Sequence, residues 1–500
     1  MKVWNKGKAY IVLGLSIFLS FIIIYGIGLQ DNIRGIQISM QLLIIFGFIV
    51  VGAVGYNKKI EIKHLIYLVI WIGMVMRIGY MLYTPIDVRA HDLGEMSIEG
   101  NGHFAYIAQI LEGKLPTTNQ YQFYHPPFFH FLAAITSKFI NYILRKEDLK
   151  EIIEAAKMVS CFASCGMLMM TVSICEEFHL SEKGKLGAVS FIAFLPNFYL
   201  LAGRINNDAL AIFFIFVIVL YTARWYQEAT YKNSILLALA FGFGMMTKIS
   251  VGIMALYTGS IMLYVLVKSV RKKEGQHILR QLVIFSGICF PIALWYPIRN
   301  YLLFGQTFSY VPKISINDPK YCGDYLWWQR FLGVPFNKGY SLIYNSPYHD
   351  YNTNLYLIKG ALFGEFTFET SKLLSATLLV FFSVLILGSV YIYINLLYKY
   401  ARSRTYEIVT LYSITIIMYF SYVLFNIQYP FGCTMDYRYV VPLALMNSLA
   451  LGMQIDTLVM EENKSFVYIN NAMIICLIIF SMLSVVMFCN IGPQSTVLIH

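Results

Sequence analysis

Charge is scarce in this sequence: only 13% of its 500 residues are Asp, Glu, Lys or Arg, against roughly 25% in soluble proteins. With 58% hydrophobic residues and a mean hydropathy of +0.62, the chain has too little polar surface to enclose one large water-soluble core. Polar interruptions are missing from apolar runs that recur from end to end, each about the 20 residues needed to cross a bilayer. Backbone groups inside such runs must be satisfied internally, which excludes open sheet and leaves helices. A small-x-small cleavage site is lacking after the apolar stretch Ala9–Leu29, so that stretch reads as a retained first helix rather than a signal peptide. No internal repeat is evident, which weakens a transporter reading. Cysteine is sparse outside the apolar runs, where only Cys322 and Cys433 occur among eight. One disulfide is open to that pair, but a disulfide framework is unsupported.

What is present is a patterned excess of positive charge, +11 overall. It lies in short loops, at Lys2, Lys6 and Lys8, at Lys58, Lys59 and Lys63, at Lys268, Arg271, Lys272, Lys273 and Arg280, and at Lys399, Arg402 and Arg404. This is the positive-inside pattern of a multi-pass membrane protein, so the charge reports orientation and implies no nucleic-acid partner. Thirteen spans are expected, near 9–28, 38–56, 65–83, 156–176, 186–203, 209–226, 233–248, 251–269, 281–298, 373–398, 406–426, 440–456 and 466–489. With the N-terminus inside, they put every basic cluster in the cytoplasm.

Two segments on the opposite, outer side are then long, Thr84–Ala155 and Tyr301–Ser371. Both are rich in Tyr, His, Asn, Pro and Gly. Their apolar pieces Phe128–Leu144 and Leu355–Phe368 suit helices lying in the interface. Trp327, Trp328, Tyr340, Tyr344, Tyr348 and Tyr351 suit an interfacial belt. The chain thus divides into two added N-terminal helices (1–64), a core (65–300) containing the first external loop (84–155), a second long external loop (301–372) and C-terminal helices (373–500).

Polar residues gather at the outer span ends, where charge near the membrane core is costly and points to function. Arg89-Ala90-His91-Asp92 follows the third span, and Gly102-His103 and His125-Pro126-Pro127 lie further along the same loop. Gly203-Arg204-Ile205-Asn206-Asn207-Asp208 ends the fifth span. Lys248, Arg299 and Arg438 stand at the outer face against the positive-inside trend, the last two in Arg299-Asn300 and Arg438-Tyr439-Val440-Val441-Pro442. Any one of these has a plain reading as a solvated loop charge or a snorkelling base. Three cations beside Asp92 and Asp208 suit a phosphate ester.

In this order, from Arg77 to Met453, these motifs resemble the GT-C superfamily of glycosyltransferases. The branch they resemble contains protein O-mannosyltransferases and the lipid A aminoarabinose transferase. His91-Asp92-Leu93 stands where many mannosyltransferases of that branch have Asp-Glu. The resemblance implies an all-α GT-C membrane fold and an enzyme that moves a sugar from a polyprenyl-phosphate donor to a hydroxyl acceptor (glycan, lipid or protein). Transfer is by single displacement with inversion, at the outer face of the cell membrane. Asp92 is then the expected general base, and Asp208 a second acid orienting acceptor or donor. Lys248, Arg299 and Arg438 are the expected donor-phosphate ligands. His91, His103, His125, Arg204, Asn207, Asn300 and Tyr439 are expected to contact substrate. No cofactor is called for. His91, His103 and His125 lack tight ligand spacing, so no metal ligand is assigned, although these three would share any divalent ion with Asp92. The rival classes are a polysaccharide polymerase or ligase, whose key residues would be arginines without a loop acid, and a flippase, which would carry charges in mid-helix.

The topology has a direct check. A cysteine placed at Lys272 should resist an impermeant thiol reagent, and one at Asn345 should react; the opposite pattern would reverse the orientation.

Overall fold

The computed structural model describes residues 32–57, 59–318, 320–332, 351–366, 372–400, 405–458 and 464–492. The expected span 9–28 lies outside these residues, as do Lys2, Lys6, Lys8, Lys58, Tyr340, Tyr344, Asn345, Tyr348, Arg402 and Arg404. The described elements are helical, as the hydropathy requires. In chain order they are α1 (Ile33–Asn57), α2 (Ile62–Tyr83), α3 (Gly102–Leu111), α4 (Phe128–Leu144), α5 (Leu149–Glu154), α6 (Lys157–Glu177), α7 (Glu182–Phe194), α8 (Asn197–Ala202) and α9 (Asp208–Gln227). There follow α10 (Tyr231–Thr247), α11 (Met254–Arg271), α12 (Gly275–Phe304), α13 (Trp327–Leu332), α14 (Thr353–Phe363), α15 (Lys372–Tyr400), α16 (Tyr406–Gln428), α17 (Pro442–Thr457) and α18 (Lys464–Phe488).

Among the described residues, nine helices are long and apolar enough to cross a membrane, and the chain is a multi-pass membrane protein. The spans built on α2, α6 and α9 are about 70% buried and form the centre of the bundle, whereas α1 is only 11% buried and α12 22%. The apolar side chains that α1 exposes, among them Leu42, Phe46 and Ile49, face where lipid would lie. The piece Phe128–Leu144 is one helix, α4, of 17 residues. It buries Phe129, His130 and Ala133 on one face and exposes Ile135, Phe139 and Tyr142 on another, as a helix lying in an interface does.

Three expected spans are not among these nine long helices. The segment 233–248 forms α10, of 17 residues, and 440–456 forms α17, of 16. The segment 186–203 is broken at Leu195-Pro196 into α7, of 13 residues, and α8, of six. Proline has no N–H to give to the carbonyl four residues back, so Ile192 loses its helical partner. Arg77, fully buried on α2, repairs the break. Its guanidinium donates to the carbonyls of Ile192 (2.8 Å) and Ala193 (3.0 Å), to Gly73 (2.8 Å) and to Ser164 Oγ (3.1 Å). A cation inside the bundle thus serves as a cap for a proline-broken helix, packed over Phe198 and Tyr199. Cys322 and Cys433 are free thiols. Their segments are nonetheless neighbours, joined by a hydrogen bond from Cys322 N to Pro430 O (2.9 Å) and by the Tyr321–Phe431 bridge.

Arg77→Met keeps much of the buried volume and removes every donor. It should lower stability by about 1–3 kcal/mol for the Ile192 carbonyl left unpaired, measured by equilibrium unfolding of the protein in mixed micelles; unchanged stability would mean that the break is capped by other groups.

Candidate functional site

The loop after α2 is shaped around Asp92. Gly94 and Gly102 both have positive φ (75° and 78°), and a Cβ on either would fall within 2.4 Å of the other strand's backbone, Asn101 O or Leu93 O. Only glycine permits this approach. The neck is closed by His103 N donating to Asp92 O and Phe104 N to Leu93 O, both at 3.0 Å. Asp92 itself sits at φ 56°, a left-handed conformation that non-glycine residues adopt mainly where the surroundings impose it.

The Asn-Asn-Asp motif divides its work. Asn206 Oδ1 accepts from Asp208 N (2.7 Å), Asn207 Nδ2 donates to Thr247 O (3.1 Å), and Asp208 opens α9. A carboxylate at a helix N-terminus is favoured by the helix dipole. The bond to Thr247 fastens α9 to the end of α10, so the next residue, Lys248, forms an ion pair with Asp208 Oδ1.

Arg438 joins the two acids. Its Nη1 lies 3.6 Å from Asp92 Oδ2 and its Nε 3.7 Å from Asp208 Oδ2. At these lengths the contacts are ionic without being hydrogen bonds, and Nε and Nη1 are buried donors without an acceptor. Asp436 fixes the turn that presents Arg438, its Oδ1 accepting from Arg438 N at 2.9 Å. The Tyr439 ring lies between the cations, 5.0 Å from the Arg438 guanidinium and 5.5 Å from Lys248 Nζ. Within this cluster Asp92 is open to solvent, its side chain 36% exposed against 6% for Asp208 and 5% for Arg438.

Behind Asp92 stands His91, with Nε2 2.7 Å from Asp92 Oδ2 and Nδ1 2.7 Å from Glu365 Oε2. Burial opposes charge on this imidazole, but the two carboxylates outweigh it and hold its pKa well above the usual histidine value. Burial likewise raises Asp92, and the charge and hydrogen bond of His91 more than reverse it, so Asp92 lies well below the usual carboxylate range and is ionised. Asp436 is pushed up to about 7 by burial and by Glu365, against the pull of Arg204 and His91. His103 is brought down to about 4 by burial and is neutral. Its Nδ1 meets His130 Nε2 at 2.9 Å, and its ring stacks parallel to that of His125 at 6.2 Å.

Of the residues expected to form the site, Asp92, Asp208, Lys248, Arg438, Tyr439 and His91 meet at one end of the bundle. Asn207 supports them, and His103 and His125 pack beneath Asp92. Arg204 lies to the side, over the Phe366 ring at 4.8 Å. Arg299 and Asn300 do not join the cluster. Arg299 donates to Pro116 O and Asn300 Oδ1, both at 2.8 Å, and forms no ion pair among the described residues. Asn300 Nδ2 donates to Gln306, which reaches Tyr124 O; the pair ties the first loop to the end of α12. Glu365 and His130 were not anticipated, nor was a role for Asp436. An acid in the apolar piece Leu355–Phe368 is the signal that marks Glu365, and Asp436 stands two residues before Arg438.

The sequence matches no protein-family model and no curated protein. The chain is similar in fold to the crystal structure of the Archaeoglobus fulgidus oligosaccharyltransferase tethered by a disulfide bond to an acceptor peptide containing the NVT sequon. The TM-score is 0.47 and the identity 12%, over 86% of this chain and 56% of that one. The chain therefore spans little more than half the length of that protein, and a likeness at this level carries no weight for function.

Proposed function

We propose that this protein is a membrane glycosyltransferase of the GT-C kind. In this reading it moves a sugar from a polyprenyl-phosphate donor to a hydroxyl acceptor at the outer membrane face, with inversion. The observation that carries the reading is the Asp92–Arg438–Asp208–Lys248 cluster: two acids and two cations drawn from four separate segments, with buried guanidinium donors that lack acceptors. Unpaired buried donors are unfavourable, and a phosphate is well matched to a guanidinium fork.

The chemistry follows from the charges. Asp92, ionised and open to solvent, takes the proton of the acceptor hydroxyl as its oxygen attacks the anomeric carbon. The bond from that carbon to the phosphate oxygen breaks, and the electron pair leaves with the polyprenyl phosphate. Arg438 and Lys248 stabilise the charge that develops there, in surroundings where fixed cations act more strongly than in water. Asp208 orients both cations. Arg299, which donates to Pro116 and Asn300, ties the first loop to the end of α12. The sugar's identity and the acceptor class are left open by these residues.

The test is release of free lipid phosphate by the purified protein from a panel of undecaprenyl-phosphate hexoses and pentoses, paired with mass spectrometry of envelope glycans from cells with and without the protein. No release from any donor, with no sugar missing from the envelope, would overturn the reading. Given an active donor, Asp92→Asn should lower turnover about 10²–10⁴-fold while donor binding changes little; near-normal turnover would move the base to another acid. Arg438→Lys keeps the charge but loses the fork and should weaken donor binding or turnover by about 1.5–3 kcal/mol; a silent Arg438→Lys would remove Arg438 from the phosphate.

A further inference from the structure

Glu365 takes no part in the transfer chemistry, yet it touches the residue beside the base. Its Oε2 is hydrogen-bonded to His91 Nδ1 at 2.7 Å, and His91 Nε2 lies 2.7 Å from Asp92 Oδ2. The imidazole is 9% exposed and Glu365 5%, so their charges are poorly screened by water. Glu365 is delivered by Gly364 at φ 61°, where a Cβ would fall 2.8 Å from Arg204 Nη2 and where any other residue is strained. Asn197 Nδ2 donates to Gly360 O (2.9 Å), which fastens α14 to α8. The segment after α14 is thus held against the loop after α2 through one imidazole.

The two contacts differ in kind. The one to Glu365 is a directed hydrogen bond, whereas Asp92 lies off the line of the buried Nε2 and is held mainly by charge. A neutral imidazole carries one N–H and one lone pair. With the proton on Nδ1, the Nε2 lone pair would face Asp92 Oδ2; with the proton on Nε2, the Nδ1 lone pair would face Glu365 Oε2. Only the doubly protonated ring is attracted to both acids. Burial opposes that charge, and the two carboxylates outweigh it. Other titratable groups face the same ring. Burial pushes Cys433 up to about 12, holds Tyr439 well above the usual tyrosine value and brings His103 down to about 4, so all three are uncharged. Arg204 acts on Asp436, and Lys248 and Arg438 on Asp92, as fixed cations. Among the described residues around His91, Asp436, at about 7, is the one that changes charge near neutrality.

We propose that Glu365 is a positioning residue for the general base: it keeps His91 doubly protonated, and the imidazolium holds Asp92 Oδ2 so that Oδ1 is the oxygen presented to the acceptor hydroxyl. Arg438 Nη1 also approaches Oδ2 (3.6 Å), and among the described residues Oδ1 has no polar partner. In the transfer step Oδ1 takes the hydroxyl proton as the acceptor oxygen bonds to the anomeric carbon, and the imidazolium keeps both of its own protons. A cation against Oδ2 lowers the basicity of the carboxylate while fixing its direction. The left-handed backbone of Asp92, at φ 56°, is one that needs such support. An acid beyond α14 thereby controls the aim of a base in the loop after α2. If Glu365 withdraws, the ring sheds a proton and Asp92 loses its hold. The role at the base rests on the transferase reading, whereas the charge on His91 does not.

The test reads His91 directly, by nitrogen-15 NMR of the full-length, histidine-labelled protein in lipid nanodiscs, with His91→Gln identifying the resonances. In wild type both ring nitrogens should stay protonated at about pH 8, above the ordinary histidine value of about 6.5. Glu365→Gln keeps the size and removes the charge, so the His91 titration should move down by about 1–3 pH units. Given an active donor, kcat of that variant should fall as pH rises through the same titration, a loss absent from wild type. KM for the donor should change little, because Arg438 and Lys248 are untouched. A neutral His91 in wild type at about pH 7 overturns the proposal without any variant having to fold. An unmoved His91 titration in Glu365→Gln overturns it too, as does an equal loss of turnover at every pH, which a merely structural role would give. A charged His91 that shifts in the variant, with no donor turned over, sinks the transferase reading and retains the Glu365–His91 pair; a neutral His91 in an active enzyme does the reverse.

Discussion

The constraint behind the whole structure is that ionic groups within a mostly apolar bundle must find one another. Asp208 and Lys248 pair at the ends of α9 and α10, and Arg438 reaches from the turn before α17 to both Asp208 and Asp92. Breaking a buried pair by removing one member leaves an uncompensated charge, which is strongly unfavourable. These contacts therefore set how the neighbouring ends of α2, α9, α10 and α17 sit relative to one another. The same economy explains Arg77, whose charge is spread over backbone carbonyls freed by Pro196, with no acid involved.

Much of the architecture was legible because the bilayer imposes a simple rule on composition. The all-helical, many-span organisation follows from the apolar runs, and the shorter helix Phe128–Leu144 from its interrupted hydropathy. What hydropathy cannot register is where a helix stops inside an apolar run. Pro196 was visible, but it became a break only because Arg77, more than a hundred residues earlier, supplies the missing donors. A proline is otherwise compatible with a continuous helix in a membrane, as Pro291 and Pro297 within α12 illustrate.

The candidate site divides in the same way. Asp92, Asp208, Lys248 and Arg438 stood out because each is a charge at a span end, and the structure brings them together. Arg299 carried the same local signature, yet its partner is the carbonyl of Pro116, a contact between remote segments that no local pattern encodes. Glu365 was hidden in an apolar piece read as an interfacial helix, and Asp436 was overshadowed by the more conspicuous Arg438 beside it. His130 resembled any core residue of α4 until its imidazole met that of His103. Roles read from residue type were thus visible in the sequence, while roles that depend on a partner waited for the fold.

The glycine neck below Asp92 has an evolutionary consequence. Residues 95–100 form an exposed excursion whose two ends are pinned together at Gly94 and Gly102 by the bonds from His103 and Phe104. That closure fixes the path of the chain on either side of the loop. Insertions, deletions or exchanges of sequence between the two glycines should therefore leave Asp92 where it is. The neck separates a part of the surface free to diversify from a carboxylate whose position is fixed, so related proteins can vary what approaches this end of the bundle without rebuilding the charges beneath it.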